Sequence, residues 1–203
     1  MAHHPGLQLR SFSALFRVVH EDSGTVLDEA SVLSSELGVR VDQLHEDSAS
    51  TFIANYAEHQ IWFMDRRRQL VHQLPVELVQ HDEADGIESV QHAPAGFIHH
   101  APCGGATGRL QGNEMIHGRL VQRWICTLPD QSVDTQWYST THSLVLRART
   151  VDGVVSELTD IRERTPKPES FRPPSHFRRV GIEELLNPIV PISSYVEQKI
   201  PSK

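Results

Sequence analysis

Two adjacent histidines, His99 and His100, stand just ahead of Cys103 in "GFIHHAPCGGATG", residues 96–108. Neighbouring residues on a strand project to opposite faces. Both histidines therefore reach one ion only if the strand ends there, which Pro102 and Gly104-Gly105 would allow. Zinc takes four ligands, or three and a water. His117 and Cys126 would have to complete the set by tertiary contact, and the spacing matches no finger or ribbon. No metal site is expected. The chain has two cysteines, and the segments around Cys103 and Cys126 read as neighbouring strands. Three states stay open for them: a disulfide, two unrelated free thiols, or a nucleophilic Cys103 activated by His100 or His142. A bridge would close a loop of about 20 residues, add about 3 kcal/mol and need an oxidising compartment. "GGATGRLQG" lacks the Lys-Ser/Thr of a phosphate loop and the spacing of a dinucleotide fingerprint. It is taken as a hairpin connection, and no cofactor is expected.

A second chemically loaded stretch is "TQWYSTTH", residues 135–142. As a strand it turns Gln136, Tyr138 and Thr140 one way, and Thr135, Trp137, Ser139 and Thr141 the other. The polar set either faces water or lines a cavity, where its groups would need partners. His142, Tyr138 and Cys103 are the acid–base candidates if the protein is an enzyme. Phe52, Tyr56, Trp62, Met64, Trp124 and Trp137 are the aromatic and thioether candidates for an apolar ligand lining, or simply for the core. Glu157 and Asp160, three apart on a strand, face opposite ways and make a poor carboxylate pair. Arg66, Arg67 and Arg68 read as a solvated corner.

Short runs of period two position these residues. They include "SFSALFRVVH", "TVLDEASVLSS", "LGVRVDQLHE", "STFIANYA", "HQIWFMDR" and "QLVHQLPVE", with turn residues about every ten positions. Such spacing predicts an antiparallel meander rather than βαβ units. From Leu78 to Ala95 the pattern breaks into an acidic stretch, expected as a short helix and loop over the sheet or its mouth. Strands resume at "GFIHHAP" and run to "VVSELTDIRER", with Asp152-Gly153 as a hairpin turn. After Arg164 the chain is proline-rich and unsuited to a sheet interior. "GIEELLNP" predicts one or two helical turns.

The 203 residues suit one domain, 1–203, with residues 165–203 a C-terminal extension packing on the body. Net charge is -7, and basic residues are scattered apart from the arginine triplet, so nucleic acid is not an expected partner. Thirteen histidines predict pH-dependent solubility. No stretch approaches the roughly 20 apolar residues of a membrane span. The N-terminus has no long apolar region before a small-residue cleavage pattern. A cytoplasmic home is expected for the chain as written, and a periplasmic one if an export signal has been removed.

Two stretches carry a family resemblance. One is "EASVLSSELGVRVDQL", followed by "ASTFIANYAEHQIWFMDRRRQLVHQLP". The other is "VDGVVSELTDIRERTPKPESFRPPSHFRRV", in which Phe171, Pro173, Pro174 and Phe177 anchor a strand exit. Together they resemble the lipoprotein-carrier superfamily of LolA- and LolB-like proteins, in pattern over about residues 10 to 180. The resemblance implies a mainly β fold: a strongly curved antiparallel sheet, an unclosed barrel, with one or two short helices covering the open side. It implies binding or carriage of a hydrophobic or amphipathic ligand, such as a lipid, a lipoprotein acyl chain or an aromatic metabolite. Members of this fold that catalyse pigment-biosynthetic steps without a cofactor make a biosynthetic enzyme the alternative. A ligand-free adaptor with a protein partner is a third. The segment from Ala101 to Cys126 has no counterpart in the family pattern.

Overall fold

The computed structural model describes residues 11–44, 49–75 and 101–186 of the chain. His99, His100, the acidic stretch 78–95 and the tail from 187 lie outside the described residues. Twelve strands form one sheet: β1 (Phe12–His20), β2 (Val26–Ser35), β3 (Gly38–Gln43), β4 (Ser50–Asn55), β5 (Gln60–Asp65), β6 (Leu70–Pro75), β7 (Thr107–Ile116), β8 (Arg119–Thr127), β9 (Val133–Ser139), β10 (Leu144–Arg149), β11 (Val154–Glu163) and β12 (Arg178–Arg179). Their order across the sheet is β12-β6-β5-β4-β3-β2-β1-β11-β10-β9-β8-β7. It is two meanders joined at the centre by the pairing of β1 with β11. Every pairing is antiparallel except that of β12 with β6. The sheet curves without closing, as the resemblance implies. Among the described residues one short helix, α1 (Ile182–Leu186), packs against β6.

Alternation decides which side chains line each face. On β1, Phe12, Ala14 and Phe16 are buried on one face, and their cross-strand partners on β2, Val32 and Ala30, join them. The set continues through Val39 and Val41 on β3, Ile61 on β5, Leu158 on β11, Leu144 and Leu146 on β10 and Val121 on β8. This is the inner core. Each fully buried Phe or Leu in it contributes about 2 kcal/mol. The opposite face carries a second, smaller cluster. Ile53, Trp62, Met64 and Val71 pack there around Phe171, which is wholly buried.

Phe171 belongs to the proline-rich segment after β11, which crosses the outer face as a strap. Pro166, Pro168, Pro173 and Pro174 deny the strap the amide donors a ladder needs, so side chains hold it instead. Asn55 Nδ2 donates to the Phe171 carbonyl (3.2 Å) and Arg40 Nη1 to that of Ser170 (3.4 Å). Only past the prolines does backbone pairing return: Arg178 N–H donates to Gln69 O and Val180 N–H to Val71 O. The arginine corner is not simply solvated. Arg66 donates to the carbonyls of Ala49 and Gln43. Arg68 pairs with Asp65 and donates to the carbonyls of Glu184 and Leu185 at the end of α1.

Among the described residues the strand register shifts at four places, between β1 and β11, β1 and β2, β9 and β10, and β7 and β8, and two of these matter most here. Between Ser13 and Leu15 on β1 the register with β11 shifts, so Asp160 and Ile161 together oppose Ala14. Asp160 takes a left-handed φ of 50° there, a conformation that short polar side chains tolerate. On edge strand β7 the register with β8 shifts at Gln111.

Candidate functional site

The inner face is the largest continuous apolar surface of the sheet, and most of its residues had no role assigned from sequence. Their signal was present in "FSALF", where Phe12, Ala14 and Phe16 alternate with smaller or polar residues. Of the six predicted lining residues, two lie on this face. Trp137 belongs to the inner cluster, and Phe52 packs against it in an edge-to-face contact with Phe63 at 5.2 Å. Trp62 and Met64 alternate to the outer face, under the strap. Tyr56 is exposed in the turn after β4. Trp124 alternates away from Val121, lies against Gly108 beside the disulfide, and donates to Gln122 Oε1 (3.3 Å). The six therefore do not form one lining. Trp62 and Trp137 sit on strands that are not neighbours, and alternation along each strand alone does not show which faces coincide.

Trp137 is held from three sides. Its strand partners Arg123 on β8 and Arg147 on β10 place guanidinium carbons 5.8 and 5.1 Å from the ring centre. Such stacking favours the electron-rich face of an indole. The indole N–H donates to Glu114 Oε2 (2.8 Å), and Arg123 donates to Glu114 Oε1 (3.1 Å). The Trp137 bond first, then the nearby arginines, hold the Glu114 carboxyl below its ordinary value.

Cys103 and Cys126 are joined in a disulfide, and both are buried. Of the three states open from sequence, the structure adopts the bridge. A bridged sulfur carries no thiolate, so Cys103 is not an acid–base group in this state. The bridge fixes the turn Pro102–Gly105 against β8 and β9. Gly108 makes room for it, because a Cβ there would stand 2.7 Å from Cys103 Sγ. Gln136 does not face water: it is buried, and its Oε1 accepts the Cys103 N–H (2.8 Å). The polar set of "TQWYSTTH" is thus partly spent on holding the bridged turn.

His142 is buried in the β9–β10 turn with Ser139. Ser139 Oγ lies 3.0 Å from His142 Nδ1 and accepts the His142 backbone N–H (3.3 Å). Arg119 Nη1 lies 3.3 Å from Nε2, and Glu163 Oε1 lies 4.0 Å from the same nitrogen. The ring thus has a hydroxyl beside one nitrogen and a guanidinium and a carboxylate beside the other. Arg119 also donates to Ile161 O (2.8 Å), tying the turn to β11. Tyr138, the other acid–base candidate, is buried on β9 and alternates away from Ser139. Among the described residues no group of three or more His, Cys, Asp or Glu is placed to hold a metal ion, and no helix is long and apolar enough to cross a membrane.

No protein-family model matches the chain, and no curated protein matches it in sequence. Solved structures do match in fold. An uncharacterized conserved protein from Thermus thermophilus superposes with a TM-score of 0.56 at 11% identity, over 85% of this chain and 90% of that one. PNGF-II superposes at 0.51 and 7% identity, over 87% of this chain, which spans only 32% of the length of PNGF-II. A fainter likeness, TM-score 0.42 at 14% identity, is to the lipoprotein LppX of Mycobacterium tuberculosis, over 79% of this chain and 90% of that one. Identities this low speak for the fold alone. What the chain shares with these structures is its architecture: one strongly curved, unclosed sheet.

Proposed function

We propose that the protein binds a hydrophobic or amphipathic small molecule, a lipid or acyl chain being the best fit, against the inner face of the sheet. The observation that carries this is the unbroken apolar face from Val41 through Phe12 and Phe16 to Leu158, Leu144 and Trp137 on a sheet that does not close. These side chains are buried in the folded protein. Loading therefore requires the site to open, and the observed affinity is the intrinsic one reduced by the fraction of molecules that are open. The polar groups nearby, Glu114 and the two arginines on Trp137, suit the edge of an amphipathic ligand rather than its tail.

The three tryptophans make the test. A fatty-acid probe such as dodecanoate, titrated into the purified protein, is expected to change tryptophan emission. W137F should abolish that change and W62F should preserve it, because Trp62 lies on the other face. A response lost in W62F and kept in W137F overturns the inner-face proposal. A second reading, an adaptor for a protein partner, is favoured by Met115 and Leu120. These cross-strand partners at the β7–β8 tip are 63% and 62% exposed. A clean mass without bound lipid, no probe binding, and a co-purifying protein displaced by M115S/L120S would support it instead.

A further inference from the structure

The bulge between β1 and β11 opens a groove of about 410 Å³ on the outer face, beside the strap. Its floor is apolar, from Leu15 and Leu33, and its rim carries Arg40, Asp42, Asp160, Arg162, Arg164 and the hydroxyls of Ser13, Ser31 and Ser170. Arg162 pairs with Ser13 in register, and Arg164 N–H donates to Ser11 O, so the ladder continues and both arginines project from the same face. Two residues along a strand span about 7 Å, a distance two guanidiniums can bridge around one tetrahedral anion.

The charges in the groove are not balanced in the way the others nearby are. Arg40 is occupied by Asp42 through two bonds of 2.8 and 2.9 Å. Neither Arg162 nor Arg164 has a side-chain hydrogen-bond or ion-pair partner among the described residues, and the Ser13, Ser31 and Ser170 hydroxyls make no hydrogen bond there either. Glu163, between the two arginines, alternates to the opposite side and lies 4.0 Å from His142 Nε2. Three arginines against two aspartates leave the groove net positive by one, in a chain of net charge -7. Guanidinium forks match phosphate oxygens with paired N–H donors, and three free hydroxyls add donors that a phosphate, with more acceptor positions than a carboxylate, can use.

We propose that this groove is a phosphate-binding site, with Arg162 and Arg164 as its ligands. It is separate from the inner face and does not depend on what binds there. The phosphate is either free or the headgroup of a phospholipid whose first carbons rest on Leu15 and Leu33. Asp160, on the rim, opposes a dianion and tunes affinity downward.

The test is NMR titration of the intact, oxidised protein with two probes, inorganic phosphate and dihexanoyl phosphatidate, following the arginine Nε–H signals. Saturable shifts of Arg162 and Arg164 are expected. R162A/R164A should weaken binding at least tenfold without loss of fold, since neither side chain holds another residue. D160N should tighten it about threefold; a tightening cannot come from misfolding, and asparagine tolerates the left-handed backbone there. Equal affinity for both probes assigns free phosphate. At least tenfold preference for the phosphatidate, removed by L15S/L33S, assigns the headgroup. No saturable shift with either probe, or binding undiminished in R162A/R164A, overturns the site.

Discussion

Replacing Phe171 with alanine tests whether one side chain anchors the strap. Phe171 is wholly buried among Ile53, Trp62, Met64 and Val71. Truncating a buried phenylalanine costs about 3–5 kcal/mol, the transfer loss plus the cavity. Around that position the strap is otherwise held by the Asn55 and Arg40 bonds to its carbonyls, by the exposed Arg172–Glu58 ion pair and by the half-buried Phe177, the polar contacts each worth about 1 kcal/mol or less. Phe171 is the largest of these anchors, so the segment between β11 and β12 should come away before the sheet unfolds. A loss of about 3 kcal/mol raises the open population more than about 100-fold, and proteolysis of an opened segment follows that population. Trypsin should then cut after Arg164, Arg178 or Arg179; Lys167 and Arg172 precede prolines and resist it. Trp62, now 4% exposed, should meet water and shift its emission to the red. Should strap and sheet unfold as one unit, the midpoint would instead fall by about 10 °C. Cleavage within twofold of wild type, together with unshifted emission and an unchanged midpoint, would refute the anchoring argument.

Three further outcomes are expected. Reducing the Cys103–Cys126 bridge, whose cysteines are 23 residues apart, should lower stability in urea by about 3 kcal/mol by the chain-entropy model; a C103S/C126S variant should match the reduced wild type. Gly38→Ala should destabilise by about 2 kcal/mol or more, because a Cβ there would collide with the Ala54 carbonyl across the β3–β4 pair; a neutral result by thermal melting would contradict that packing. Burial alone would push the Asp42 carboxyl up, but the bonds from Arg40 and Thr51 and the charges of Arg40 and Arg66 hold it below its ordinary value. Its stabilising contribution is therefore complete above about pH 4 and lost as pH falls through the depressed folded value. D42N should flatten the acid limb of the stability–pH curve, measured by urea unfolding between about pH 2 and 5.

Much of the fold was legible locally. The Asp152-Gly153 turn, the turn at the arginine triplet, the alternation in "FSALF" and the short helix at Ile182 all depend on neighbours in sequence, and all are present. The site was less legible because it depends on pairs far apart in the chain. Trp62 and Trp137 look alike as strand aromatics, yet Phe171, distant in sequence from Trp62, covers one while Arg123 and Arg147 clasp the other. Gln136 carries no sign of burial in its own strand, because its partner, the Cys103 amide, is placed by a disulfide that spacing alone leaves open. The setting of the His142 ring depends on Arg119, 23 residues away. Arg162 and Arg164 give no local signal either, since only the bulge on β11 turns them toward a groove.

An unclosed sheet keeps two rows of backbone donors and acceptors that a barrel would have joined to each other, and each row is an invitation to another chain. One end is finished by β12, two residues long, parallel, and made of two exposed arginines. A newcomer would find two rungs and a like-charged doorstep. The other end, β7, is ten residues long and exposed over most of its length, which looks more hospitable. Its irregularity at Gln111 breaks the run of evenly spaced rungs near the middle, and Arg109 and Glu114 stand on either side of that break. A growing fibril needs many consecutive rungs in step, and neither end offers them. Among the described residues, the open sheet thus presents no long, regular edge that copies of the chain could extend.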